Sequence, residues 1–382
     1  MTSTSAPIVL AAGGTGGHLF PAEALAKALI KRGHTPVWIT DERGAARTGP
    51  LADLEHHTIS ARGLAGFGAI GRLTGALSLG VGVFQARRLL KEMRPAAVVG
   101  FGGYAAAPTM MAATHIGLPS ALHEQNAVIG RANRLFAKRV DRVCTSFEAT
   151  GQIPDGVAPI RTGMPVRASF GAARAKPYAA PSGKDPFRIV VLGGSQGAAV
   201  FSHLVPCAIK RLPEDLRKRI QVDQQCRSEI VDQTRHAFSN CGVKARLQPF
   251  FDDVPELVAA AHLLIVRSGA STVSEVAYAG RPAIYVPYPF AADDHQTANA
   301  QAIMNAGGGW WEAQDRLTPD SLSHRLAELL ADPGALSAAA AAARNFAIPD
   351  AAERLADVVE GLVNGGNGHT GENRTADARG VA

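Results

Sequence analysis

Residues 7–18 read PIVLAAGGTGGH, and residues 187–198 read FRIVVLGGSQGA. In each, an apolar run of strand length meets a cluster of glycines, and a helical pattern follows. A short buried strand, a glycine turn and a helix form the opening unit of a doubly wound α/β domain. Because the unit occurs twice, about 180 residues apart, the chain is read as two such domains. The fold class expected is therefore α/β, with two Rossmann-like parallel sheets.

The surrounding pattern agrees. In the first half, residues 35–40, 96–99, 119–123 and 142–145 read as further strands. Residues 21–32 read as a helix, and another starts near Pro108. In the second half, residues 220–225, 263–266 and 283–286 read as strands. Strands alternating with helices imply parallel pairing with helices on both faces. Residues 171–186 carry Ala, Lys, Pro, Ser and Gly without periodicity and read as a connection. The expected division is an N-terminal domain over residues 1–165, a linker over 166–187 and a C-terminal domain over 188–349. A helix at 350–363 is assigned back to the first domain. The alanine run at 338–343 reads as helix, since Ala is the best helix former. Residues 364–382 are Gly, Asn, Thr and charge, and are expected to be disordered.

A length of 382 residues suits two cores rather than one. With 46% hydrophobic and 19% charged residues the balance is that of a soluble globular protein, and the net charge of +6 favours an anionic partner. The four cysteines have no CxxC spacing, which points away from zinc and toward a reducing compartment. The N-terminus lacks the basic start of a signal peptide. Residues 64–84 are long and apolar enough to raise a membrane span. They are rich in glycine and followed by Arg87, Arg88, Lys91 and Arg94, so a loop and helix resting on a lipid surface is the expected reading.

A third glycine turn, GFGGY at residues 100–104, also follows a strand. Glycines let backbone N–H groups approach an anion, and the helix that follows points its positive end there. No Gly-Lys-Ser/Thr follows any of the three turns, so a Walker loop is excluded. Gly100, Gly102 and Ala105, with Glu124 about 20 residues on, loosely fit a dinucleotide fingerprint. That leaves a nicotinamide oxidoreductase as one alternative. His123, Glu124, Gln125 and Asn126 end a strand, where ligands of open α/β sheets sit. Ser271 and Thr272 read as the N-cap region of a helix carrying Glu275, either as a capping box or as a diphosphate site with a ribose acceptor beside it. Gln296 and Asn299 offer the paired donors and acceptors that sugar hydroxyls require. No Asp-x-Asp triplet occurs, so a metal-bridged diphosphate is not expected, and no metal ligands or cofactor are assigned.

Seven motifs in order carry a resemblance: GGTGGH with Pro21, GFGGY, HEQN at 123–126, TGMPVR at 162–167, GGSQGA at 193–198, RSGASTVSE at 267–275 and DDHQTANA at 293–300. Together they resemble the MurG family of undecaprenyl-diphospho-muramoylpentapeptide N-acetylglucosaminyltransferases, from about Pro7 to the last helix. The resemblance implies a GT-B fold with two domains facing a deep cleft. It implies inverting, metal-independent transfer of N-acetylglucosamine from UDP-GlcNAc to the C4 hydroxyl of a lipid-linked muramoyl-pentapeptide acceptor, in peptidoglycan synthesis. It also implies a peripheral protein at the cytoplasmic face of the cell inner membrane.

On the family pattern, Ser195 contacts the diphosphate, and Ala270, Ser271 and Thr272 present a helix terminus to it. Glu275 binds ribose, the Phe251 backbone reads uracil, and Gln296 and Asn299 hold GlcNAc. Thr15, Gly16, Gly17, Asn126 and Arg167 approach the donor sugar. The first two glycine turns, Tyr104 included, serve the acceptor. An inverting attack needs a general base. His18 is the candidate, since the helix it begins favours a neutral imidazole; it could instead only hydrogen-bond a substrate, and Glu124 is next in line. Phe67, Ile70, Leu73, Leu77 and Phe84, with Arg72, Arg87, Arg88 and Lys91, would meet an anionic membrane through the 64–94 region. No nucleic-acid partner is expected. The rivals are a UDP-GlcNAc epimerase of the same fold, the oxidoreductase, and a non-catalytic UDP-sugar sensor.

Overall fold

The computed structural model describes residues 6–14, 16–46, 51–61, 69–194 and 198–366. The first sheet is built from β1 (Ile8–Ala11), β2 (Pro36–Thr40), β3 (His56–Thr58), β4 (Ala97–Gly100), β5 (Ser120–Glu124), β6 (Arg142–Thr145) and β7 (Ile160–Arg161). Its order is β3-β2-β1-β4-β5-β6-β7, and every pairing is parallel. The second sheet is built from β8 (Phe187–Leu192), β9 (Ile220–Gln225), β10 (Lys244–Gln248), β11 (Leu263–Val266), β12 (Ala283–Tyr285) and β13 (Gly309–Trp311). Its order, β10-β9-β8-β11-β12-β13, repeats the same winding, again with every pairing parallel. In both sheets the chain reverses direction of winding beside the first strand, and that switch point opens the crevice where such folds bind ligands.

Burial explains the layers. β1, β4, β5, β8 and β11 are almost wholly buried because helices cover both faces. One face of the first sheet packs Leu19, Leu25 and Leu29 of helix Gly16–Lys31 with Leu355, Ala356 and Val359 of the last helix, Ala351–Gly366. Arg32 reinforces that contact through Asp357 and Glu360, each at 2.7 Å. The other face packs Leu90 of helix Ala69–Met93 and Met110 of helix Gly103–His115.

Four details differ from the sequence reading. The helices expected at Pro21 and near Pro108 begin five residues earlier, at Gly16 and Gly103, and carry those prolines inside. Each proline stands at the sixth helical position, where it removes one i→i−4 bond, to Gly17 O or Tyr104 O, close to the helix start. Part of the stretch read as a connection is ordered: Ala168–Phe170 is a 3-10 turn and Gly171–Ala175 a short helix, with Phe170 and Ala173 buried in the second core. The last helix continues to Gly366, three residues past Val363; residues 367–382 lie outside the described ones, as does the disorder expected of them. Among the described residues no single helix is long and apolar enough to cross a membrane.

Candidate functional site

The glycine turns shape the site from below. β1 ends at Ala11, and Trp38 Nε1 donates to Ala12 O at 2.9 Å, which pins the entrance of the first turn. Gly13 lies so close to the second turn that a β-carbon there would stand 2.5 Å from Ala105 Cβ. The first two turns are thus packed into one surface, with His18 against Gly103.

A cleft of about 880 Å³ lies between the two sheets' C-terminal edges. From the first domain it is lined by Gly16, Gly17, His18, Phe20, Gln125 and Asn126. From the second it is lined by the Gly193 turn, Arg227, Arg267, the stretch from Gly269 to Thr272, Glu275 and Gln296. Of the residues singled out from sequence, Gly16, Gly17, His18, Asn126, Ala270, Ser271, Thr272, Glu275 and Gln296 meet here. Thr15 and Ser195 fall outside the described residues.

The second-domain wall is an open helix terminus. Helix Ala270–Ala279 is capped by Gly269, which offers no side chain, so the N-cap expected at Ser271 and Thr272 is displaced and no Thr272–Glu275 capping box forms. The first N–H groups of a helix have no intrahelical partner, and these, at Ala270, Ser271 and Thr272, border the cleft. The hydroxyls of Ser268 and Ser271 are buried and find no partner among the described residues. Arg267 is 8% exposed and donates to Val286 O, Pro287 O and Gln314 Oε1, all of them uncharged. Its positive charge therefore sits beneath the helix terminus with no carboxylate to cancel it. A helix N-terminus with a buried guanidinium behind it is an anion site.

Glu275 follows one turn on. Burial pushes its carboxyl above the usual range, and the Arg167 guanidinium, whose Nε donates to it at 2.7 Å, pulls against that. Arg167 in turn lies 4.6 Å from the centre of the Phe20 ring, so it joins a cleft residue of each domain. Gln296 accepts from Tyr288 N at 2.9 Å, which leaves its amide NH2 for the cleft.

The first-domain wall is a closed polar network. His18 Nδ1 lies 3.0 Å from Gln125 Oε1, Gln125 Nε2 donates to His123 O at 2.7 Å, and His123 Nε2 lies 2.9 Å from Gly163 O. His123 is fully buried, and burial pulls its imidazole down to about 4, so it is neutral at physiological pH.

Two expectations need correction. Glu124 is 2% exposed, and its carboxylate accepts from Asn126 N, Asn126 Nδ2, Gly130 N and Asn133 Nδ2 at 2.8–3.2 Å. It shapes the loop and is not presented to the cleft, either as a base or as a ribose ligand of a dinucleotide. Asn299 is fully buried: it accepts from Ala127 N at 2.7 Å and donates to Asn126 Oδ1 and Ser268 O at 3.1 and 3.0 Å. Its oxygen and both amide hydrogens are engaged, two of the three bonds crossing between the domains, so no donor is left for a sugar hydroxyl. The side chains of Tyr104, 42% exposed, and Phe251, 2% exposed and stacked under Arg246, do not line the cleft, which leaves the acceptor role expected of Tyr104 and the backbone contact expected of Phe251 untouched.

Sequence reasoning placed Gln125 at a strand end and Arg267 in a motif but gave neither a role, and it passed over Arg227. Arg227 and Arg267 follow the C-terminal ends of β9 and β11, which is the signal that could have given them a role. Phe20 and Gln314 carry no such signal.

Comparison with known proteins gives the site its family. Residues 8–145 match the glycosyltransferase family 28 N-terminal domain and residues 188–355 its C-terminal domain. A relative from Paramagnetospirillum magneticum, named UDP-N-acetylglucosamine--N-acetylmuramyl-(pentapeptide) pyrophosphoryl-undecaprenol N-acetylglucosamine transferase, is 54% identical, covering 94% of this chain and 98% of the relative. One of the same name from Rhodospirillum centenum is 52% identical over 96% of this chain and 97% of the relative. The crystal structure of Acinetobacter baumannii MurG superposes with a TM-score of 0.76 at 30% identity, covering 93% of this chain and 99% of that one. A putative UDP-N-acetylglucosamine 2-epimerase from Listeria monocytogenes, at 11% identity and a TM-score of 0.65 over 94% of this chain and 97% of that one, shares the fold alone. With both domains matched and more than half the residues shared over nearly the full length, the chain belongs to glycosyltransferase family 28 and, within it, to the MurG family.

Proposed function

We propose that this chain transfers N-acetylglucosamine from UDP-GlcNAc to the C4 hydroxyl of an undecaprenyl-diphospho-muramoyl-pentapeptide, inverting the anomeric centre and releasing UDP. The observation that carries the reading is one cleft with a half-buried histidine on one wall and an open, cationic helix terminus on the other. The names of the relatives supply donor and acceptor. The acceptor oxygen attacks the anomeric carbon, its proton passes to His18 Nε2, and the bond to the diphosphate breaks with its electron pair on UDP. Charge on the leaving group falls to the N–H groups of Ala270, Ser271 and Thr272 and to Arg267, so the reaction runs without a metal. Glu275 takes the ribose hydroxyls, Gln296 the sugar, the Phe251 backbone the uracil and Ser195 the diphosphate. Thr15, Gly16, Gly17, Asn126 and Arg167 close over the donor sugar, with Tyr104 on the acceptor side.

The acceptor's lipid gives a use to helix Ala69–Met93. Leu77, Val81 and Phe84 share one face and are 63%, 50% and 71% exposed, with Arg87, Arg88, Lys91 and Arg94 exposed just beyond. This face rests on anionic lipid at the cytoplasmic side of the inner membrane. Phe67 lies outside the described residues, as do the side chains of Ile70, Arg72 and Leu73.

Labelled GlcNAc transfer to a short-chain lipid-linked acceptor, with and without EDTA, tests the reaction. Acceptor-dependent UDP release that survives EDTA is expected. UDP-GlcNAc binding without transfer, or epimerisation without acceptor, would overturn the reading.

A further inference from the structure

We infer that Gln125 and His123 are positioning residues that hold His18 in the single tautomer able to take a proton at Nε2. The inference rests on the reading of His18 as the base and says how the fold makes it one.

Two backbone carbonyls decide the arrangement. A carbonyl oxygen can only accept. Gly163 O, 2.9 Å from His123 Nε2, therefore requires the proton of His123 on Nε2. A neutral His123 is then bare at Nδ1, where it accepts from Gln125 Nε2 at 3.1 Å. His123 O, 2.7 Å from the same Gln125 nitrogen, also requires the amide NH2 on that side. The Gln125 oxygen must then face His18, and at 3.0 Å from Nδ1 it can only accept. So His18 carries its proton on Nδ1, and a neutral His18 is bare at Nε2. That nitrogen lies beside the second glycine turn, where a methyl on Gly103 would come within 3.2 Å of it.

The chain is stiff at both ends. Gln125 and His123 are 2% and 0% exposed, so water does not compete for their groups. Gly163 has a φ of +85°, and a β-carbon there would stand 2.6 Å from Ile348 Cβ, so the carbonyl that starts the chain is fixed where the polypeptide leaves the first domain. A histidine whose second nitrogen is oriented in this way needs no carboxylate partner to be a competent base.

Nitrogen-15 spectroscopy of the full chain labelled in histidine, with the His18 signals identified by their loss in His18→Ala, reads the tautomer directly. The expected result at mildly alkaline pH is a proton on Nδ1 and none on Nε2. Gln125→Leu should mix the tautomers and lower kcat about 10–100-fold, while KM for UDP-GlcNAc moves less than about threefold. Gln125→Glu keeps an acceptor opposite Nδ1, and so should retain the single tautomer and more of kcat than Gln125→Leu. A wild-type His18 protonated on Nε2, or a Gln125→Leu variant that loses kcat with its tautomer unchanged, would overturn the inference. The wild-type spectrum decides the first point whether or not a variant folds. Near-normal turnover in His18→Ala would sink the base reading instead, and the spectrum would tell the two failures apart.

Discussion

The two sheets are wound alike, yet the polar groups after β5 of the first and after β11 of the second are treated in opposite ways. After β5 of the first domain the polar groups meet partners within the protein: Glu124 collects its own loop, and His123, Gln125 and His18 form a chain. In the second, the helix terminus after β11 is uncapped by any side chain, two serine hydroxyls are buried with no partner among the described residues, and Arg267 finds only neutral ones. Buried polar groups are normally satisfied. A wall that leaves them open is made for a ligand that arrives with charge; a wall that closes them holds one side chain for a proton transfer.

The largest effect expected from this contrast is on His18. His18→Ala should lower kcat about 10²–10⁴-fold, with UDP affinity in equilibrium binding nearly unchanged, because the anion wall is untouched. Equal losses in UDP affinity and in kcat would break the contrast, since one wall would then be doing both tasks.

His123 sharpens it next. Its imidazole sits near 4 in the folded chain against an ordinary value of 6.5, so above pH 6.5 it costs nothing. As pH falls from 6.5 to 4 the unfolded chain takes up a proton that the folded one refuses, and about 3 kcal/mol of stability is lost. His123→Gln should be free of that loss. Urea unfolding midpoints of the two proteins from pH 7 to pH 4 check it; parallel curves would mean that the network is open to water.

On the other wall, Arg267→Met should weaken UDP binding about 10–100-fold, the range of a lost charge-assisted contact. It should spare the His18 tautomer. Calorimetric titration with UDP measures the first effect, and a normal affinity would show that the helix terminus holds the anion unaided.

How far the contrast can be read without coordinates depends on what a residue is bonded to. Central strands such as β8 and β11 are legible to the residue because both faces are buried and the runs are apolar. β3, β7, β10 and β13 lie at sheet edges, where His56, Lys244 and Arg246 break the pattern, and they are absent from the sequence reading. The motifs likewise bring the right stretches to the cleft. They do not tell Glu124 and Asn299, whose groups are consumed within the protein, from Ser271 and Gln296, which keep theirs for a ligand. That distinction lies in partners 2–9 residues away for Glu124 and more than 170 away for the Asn126–Asn299 pair. A reader of one strand end cannot see them.

The junction between the walls gives a graded test that ends in the smallest predicted effect. Asn299 ties the domains through Ala127 N and Asn126 Oδ1 and also holds Ser268 O, so Asn299→Ala should cost about 2–3 kcal/mol, because Ala127 N and Ser268 O lose their partner out of water. Arg131 and Asp293 also bridge the domains, at 2.8 Å, but the arginine side chain is 69% exposed. Arg131→Ala should therefore cost at most about 1 kcal/mol, and less as salt is raised. Asp293 and Asp294 both hold left-handed φ values, 51° and 50°, which aspartate adopts only at some cost. Asp293→Gly removes the ion pair and relieves that strain together, so its net effect on the unfolding midpoint should be close to zero, within about 0.5 kcal/mol. A larger loss would mean that the exposed pair, rather than buried Asn299, sets how the histidine wall stands against the anion wall, and kcat in Asp293→Gly would fall with it.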